Sequence, residues 1–108
     1  MTRGDFVRVA LPGDFGKPRP ALIIQSSAFL THPSMIVLPV TSNLVDAPLV
    51  RVEVQPNEVN NLQKPSQIMV DKVMTVRREK VGEPFGRASD ETMLMVSRNL
   101  MVFLGIAA

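Results

Sequence analysis

Val50-Arg51-Val52-Glu53-Val54 alternates apolar and charged residues without a break, which in a β-strand turns three valines to one face and two charges to the other. The same period of two recurs on both sides of it. Upstream, Ile36, Leu38 and Val40 share a face, and so do Val7, Val9 and Leu11, with Arg8 pointing the other way. Downstream, Ile68, Val70, Val73 and Val76 carry the pattern to Arg77 as a sixth stretch. Ala21 to Gln25 is apolar on both faces, as in a central strand covered from both sides. Pro12, Gly13, Pro18, Pro20, Pro33, Pro48, Pro56, Pro65 and Gly82 cut the chain into short strands at the spacing of a small antiparallel barrel or sandwich.

The period changes only near the C-terminus. Ser89 reads as an N-cap, Asp90 and Glu91 put negative charge on the first turn, and Met93, Val96, Leu100, Phe103 and Leu104 recur at three and four. This predicts one closing α-helix that ends near Gly105. The segment from Pro56 to Leu62 reads equally as a short helical turn or as an irregular loop. The expected architecture is mainly β, a small antiparallel barrel closed by a C-terminal helix, in a single domain over residues 1–108.

Composition narrows the chemistry. The 108 residues include no Cys, no Trp and one His, so structural zinc, iron–sulfur clusters, thiol nucleophiles and paired imidazoles are excluded. What chemistry remains falls to Arg, Lys, Asp, Glu, Ser, Thr and the backbone, with no cofactor or metal expected. A formal charge of +2 is a mild basic lean, compatible with an anionic partner without demanding one. No apolar run approaches the roughly 18 residues of a membrane span, and the first residues lack the apolar core of a signal peptide. A cytoplasmic protein with no membrane contact is expected.

Two polar connections stand out. Residues Pro12 to Pro20 hold Asp14, Lys17 and Arg19 among two glycines and three prolines. Arg19, between Pro18 and Pro20, starts from a restricted backbone and could grip a phosphate with its planar fork, or simply pair with Asp14. Phe15 in the same loop could stack on a base or fold back onto the barrel. Thr41, Ser42 and Asn43 end another strand and could bind a phosphate oxygen or close an ST-turn. Asp71, followed by Lys72, could accept a proton or cap a turn.

Lys72, Arg77, Arg78 and Lys80 could guide an RNA backbone or form a solvated edge. Met95 falls off the main helical stripe and suggests a second buried face, such as a subunit interface. His32, beside Pro33, reads as a surface residue. Gly13-Asp14-Phe15-Gly16 matches the GXXG loop of KH domains in letters only, since strands rather than helices flank it.

Four ordered stretches together resemble the MazF and PemK toxins of bacterial toxin–antitoxin modules. They are Arg3-Gly4-Asp5; Gly16-Lys17-Pro18-Arg19-Pro20-Ala21-Leu22-Ile23-Ile24-Gln25; Leu38-Pro39-Val40-Thr41-Ser42; and Lys64-Pro65-Ser66-Gln67-Ile68-Met69-Val70-Asp71-Lys72. The resemblance spans nearly the whole chain. It implies an SH3-like small barrel of the CcdB/MazF/PemK type, a homodimer, and a metal-independent endoribonuclease that cuts single-stranded RNA at short motifs. It also implies a cognate antitoxin with an acidic disordered tail, and growth arrest when the toxin is free.

Carried over position by position, the family's Arg-Pro signature falls on Arg19 and its strand-ending Thr on Thr41, as catalytic residues. Its acidic positions fall on Asp14 and Asp71. Phe15, Gly16, Lys17, Ser42 and Gln67 are then expected to bind substrate. Two positions depart from the pattern: Pro18 stands where some members place a His, and Met69 where the PemK branch places an Arg. Proton acceptance is left to Asp14 or Asp71, because guanidinium is a poor base. Fold alone does not fix function, since gyrase-poisoning CcdB toxins and plain SH3-like binding modules share the architecture.

Overall fold

The computed structural model describes residues 1–10 and 17–108. Seven strands and one helix follow in order: β1 (Asp5–Ala10), β2 (Pro18–Ile23), β3 (Ser34–Thr41), β4 (Arg51–Val54), β5 (Ser66–Met69), β6 (Met74–Arg77), β7 (Gly86–Arg87) and α1 (Asp90–Phe103). They form one curled sheet in the order β4-β5-β3-β2-β1-β7, with β6 also paired to β3. All of these pairings are antiparallel.

The curl originates in β3, the longest strand. Its first half pairs with β6, from Ser34↔Arg77 to Val37↔Met74, while Val40 and Thr41 pair with Ile68 and Gln67 of β5. One strand thus serves two partners along the same edge, and the sheet bends where it passes from one to the other. The stretch expected to run unbroken from Ile68 to Arg77 is accordingly split into β5 and β6 by a turn of 3-10 helix at Val70–Lys72.

Both faces of the sheet are buried, as the all-apolar centre of β2 requires. Phe6, Leu22, Leu38, Val40, Val52 and Ile68 pack on one face with Val96 and Leu100 of α1. Val7, Val9, Ala21, Ile23, Met35 and Val37 fill the other with Val81. Successive residues of β1 and β2 alternate between these two clusters, as the pleat dictates. Burying a Leu or Phe side chain contributes about 1.5–3 kcal/mol, so the two clusters carry most of the favourable term.

The helix starts as expected: Ser89 Oγ accepts a hydrogen bond from the Thr92 amide at 3.1 Å. Its stripe is only partly used. Val96 and Leu100 are buried, but Phe103 and Leu104 are about half exposed. Residues Pro56 to Leu62 form a turn rather than a helix. Asn57 Oδ1 accepts from the amides of Val59 and Asn60, and Asn60 Oδ1 accepts from those of Asn57 and Leu62. One backbone bond of helical spacing is present, from the Asn61 amide to the Asn57 carbonyl at 3.0 Å, and side chains supply the other partners.

Candidate functional site

The β2–β3 ladder ends at Ala21↔Pro39, beside Pro20. Proline has no N–H to donate, so Pro18, Pro20 and Pro39 cannot extend the pairing as ordinary residues would. Where the ladder stops, a groove of about 640 Å³ opens. Pro18, Arg19 and Pro20 form one side of it, and Pro39, Val40, Thr41 and Ser42 another. Arg19 and Thr41 both line this groove, one from each strand just beyond the last β2–β3 pair. The sheet itself therefore brings together two residues that are 22 positions apart in the chain.

Arg19 lies within β2, not in a loop: the strand begins at Pro18, two residues inside the connection expected to run to Pro20. Strand placement fixes which way its guanidinium leaves the backbone. Thr41 is half-buried, and its Oγ1 accepts a hydrogen bond from the Asn43 amide at 3.1 Å. The ST-turn is thus real, and it holds the hydroxyl at the groove edge. Lys17 and Ser42 are exposed and also line the groove. Asp14, Phe15 and Gly16 lie outside the described residues.

Two other expected site residues are not brought to this groove. Gln67 pairs in register with Thr41, but its side chain is only 2% exposed and is committed elsewhere. Its Oε1 accepts from the Val45 amide (3.1 Å) and from Arg51 Nη1 (2.9 Å), and its Nε2 donates to the Val45 carbonyl (2.9 Å). It is a staple for the loop after β3. Asp71 sits in the 3-10 turn after β5, which swings it away from the groove lining. One carboxylate oxygen meets Lys72 Nζ at 3.1 Å. The other is buried without a hydrogen-bond partner among the described residues.

The far wall of the groove comes from residues the sequence did not single out: Arg8, Asn61, Gln63, Lys64 and Phe85. That wall is built rigidly. Gly86 packs so closely on the 57–62 turn that an added Cβ would lie 2.0 Å from the Asn60 carbonyl oxygen. The Phe85 amide donates to the Phe6 carbonyl, and its own carbonyl accepts from Asn61 Nδ2 at 2.7 Å. Among the described residues, the lining has four cationic side chains, Arg8, Lys17, Arg19 and Lys64, and no carboxylate.

The basic cluster near β6 lies apart from this groove. Arg77 pairs with Glu79 at 3.4 Å and Lys72 with Asp71, the solvated-edge arrangement. His32 is exposed and its Nδ1 accepts from the Ser34 amide. Among the described residues, no group of three His, Asp or Glu side chains is placed to hold a metal ion, and no helix is long and apolar enough to cross a membrane.

Comparison with known proteins agrees with the geometry. A probable endoribonuclease MazF of Mycolicibacterium smegmatis is 43% identical over 108 residues, covering 99% of both chains. A mycobacterial endoribonuclease solved in complex with its cognate antitoxin superposes with a TM-score of 0.83 at 20% identity, over 100% of this chain and 98% of that one. A MazE–MazF structure from Deinococcus radiodurans gives 0.81 at 22% identity, over 99% and 98%. These two likenesses establish the fold, a curled antiparallel sheet with one C-terminal helix. The model of PemK-like, MazF-like toxins matches residues 2–104. With the cationic groove, the ordered Arg19 and Thr41 positions and that match in hand, the chain belongs to the PemK-like, MazF-like toxin family of type II toxin–antitoxin systems.

Proposed function

We propose that the groove between β2, β3 and the 61–64 segment is the active site of an endoribonuclease that cuts single-stranded RNA at short motifs without a metal ion. The observation that carries this reading is the groove lining itself: four cations, no carboxylate among the described residues, and Arg19 and Thr41 both on its wall. Such a lining attracts a polyanion and repels a cationic ligand.

RNA brings its own nucleophile. The 2'-hydroxyl oxygen attacks the adjacent phosphorus in line, the P–O5' bond breaks, and the products are a 2',3'-cyclic phosphate and a 5'-hydroxyl. The protein must hold that geometry, stabilise charge on the nonbridging oxygens and move two protons. Arg19 supplies permanent positive charge to the phosphorane, and the Thr41 hydroxyl positions the phosphate or the 2'-hydroxyl. Lys17 and Ser42 hold the strand on either side. Asp71 stands outside the groove, so proton acceptance from the 2'-hydroxyl is assigned to Asp14, which precedes Lys17 by three residues.

The same lining suits an acidic, disordered antitoxin tail that would cover the groove and compete with RNA. A homodimer is the assembly proposed. Leu94, Met95, Met101 and Val102 on α1 and Leu44, Val45 and Leu49 on the neighbouring loop leave an apolar surface open in the single chain. The cytoplasm is its proposed site of action.

The test is incubation of purified protein with mixed-sequence single-stranded RNA in EDTA, with Arg19→Ala alongside, followed by sequencing of the cut ends. Cleavage at a recurring motif, cyclic-phosphate ends and a loss of about 100-fold or more in the variant are expected. Growth arrest without RNA cleavage, unaffected by Arg19→Ala, would replace this reading with that of a non-enzymatic poison of the gyrase-binding kind.

A further inference from the structure

Of the five phenylalanines, Phe85 is the one the described structure brings to the groove wall, and it is not alone there. Its ring packs on that of Phe6, with centroids 6.2 Å apart and planes 26° from parallel. On it sits Arg8, whose guanidinium carbon is 4.4 Å from the ring centroid. Phe6 is fully buried, Phe85 half-buried and Arg8 exposed, so this stack rises from the core and ends at the groove with a cation as its outermost layer. A guanidinium held over an aromatic ring loses little further freedom when a second planar group lands on it.

The edge of any such group would meet Asn61. Its Nδ2 donates to the Phe85 carbonyl at 2.7 Å, which fixes the amide and leaves Oδ1 as the acceptor. The residue holds a φ of +55°, a conformation Asn tolerates and β-branched residues do not, so the amide is presented by a defined turn. Arg8 pairs in register with Pro20, the neighbour of Arg19. Paired Cα atoms across an antiparallel sheet lie about 5 Å apart. Arg8 leaves the sheet on the Phe6 face and Arg19 on the opposite one, but both side chains line the one groove, so a base beside a phosphate held by Arg19 can reach Arg8 across it.

We infer that Arg8, laid on Phe85, and Asn61 form a base-recognition subsite that stacks one nucleobase next to the scissile phosphate and selects a base carrying an exocyclic amine. The inference rests on the reading of the groove as an RNA-cutting site and adds its specificity. Stacking on the guanidinium supplies affinity for any base. Asn61 Oδ1 supplies the choice: adenine, cytosine and guanine can donate an exocyclic amine proton to it, whereas uracil has no amine and flanks its single N3–H with two carbonyl oxygens whose lone pairs face the acceptor.

The test is cut-site sequencing on mixed-sequence RNA for wild type, Arg8→Lys and Asn61→Gly, with thermal unfolding of each. Lysine keeps the charge but cannot stack as a plane, and glycine accepts the positive φ without the amide. Wild type should disfavour uracil about tenfold at one position adjoining the cut. Asn61→Gly should admit uracil there, with discrimination falling about tenfold, and Arg8→Lys should lower kcat/KM most for the bases wild type prefers. A rate loss spread evenly over all motifs would make Arg8 a phosphate contact only and overturn the subsite, as would an unchanged motif in both variants. Failure of wild type to cut RNA at all would instead overturn the reading of the groove, and the subsite with it.

Discussion

Replacing Gln67 by Leu separates a residue that touches RNA from one that supports the residues that do. The substitution keeps the volume of a side chain that is 2% exposed and removes three hydrogen bonds, at 2.9, 2.9 and 3.1 Å. One of them, from Arg51, is charge-assisted and is worth about 1.5–3 kcal/mol, while the two to the Val45 backbone contribute about 1 kcal/mol each. The full sum is an upper bound, because Val45 is 44% exposed and Arg51 is half-buried, so water can rejoin all three partners once the staple is gone. The expected net loss is about 2 kcal/mol. For a chain of this size that lowers Tm by roughly 8–16 °C.

Thermal unfolding by circular dichroism reads the loss, and amide exchange at Val45 should accelerate along with it. RNA affinity measured well below the new Tm should change less than threefold, since Gln67 does not line the groove. A Tm shift below 3 °C together with a large fall in RNA affinity would refute this reasoning and return Gln67 to the substrate.

Gly86→Ala should cost about 3 kcal/mol, the upper part of the usual overpacking range. The new Cβ would meet the Asn60 oxygen, carbon and Cα at 2.0, 2.4 and 2.9 Å, all backbone atoms that cannot rotate aside. The urea midpoint should fall accordingly, and a midpoint equal to wild type would show that the 57–62 turn is not seated as described. Ser89→Ala should lower stability by about 1 kcal/mol and Ser89→Gly by only a few tenths, because the cap donates nothing to the core and acts through the Thr92 amide. Equal unfolding curves for the alanine variant and wild type would dismiss the cap.

The strands, the closing helix and the toxin family were legible in the order of residues because each rests on local chemistry. Alternation at Val50–Val54 places valines on one face whatever lies beside them, Ser89 caps the helix through the nearby Thr92, and Arg19-Pro20 and Thr41-Ser42 are short signatures. What lies opposite a strand is not local. The family resemblance put Gln67 in the groove; the cross-strand register and its hydrogen bonds placed it under the loop it staples. Asp71 moved for a related reason, as a single 3-10 turn after β5 redirects the side chain that strict alternation would have carried on.

Phe85 and Asn61 show the converse. Each is an unremarked residue beside a Pro, Gly or Asn, and it becomes part of the groove only because β7 pairs with β1 and the 57–62 turn closes on Gly86. Residues alone determined a small antiparallel β protein capped by one helix, its family, and the Arg and Thr that mark it. Which wall faces them, which polar side chains are spent on support, and which cations converge were decided only by the folded sheet. Register and curl bring together groups that no spacing along the chain encodes.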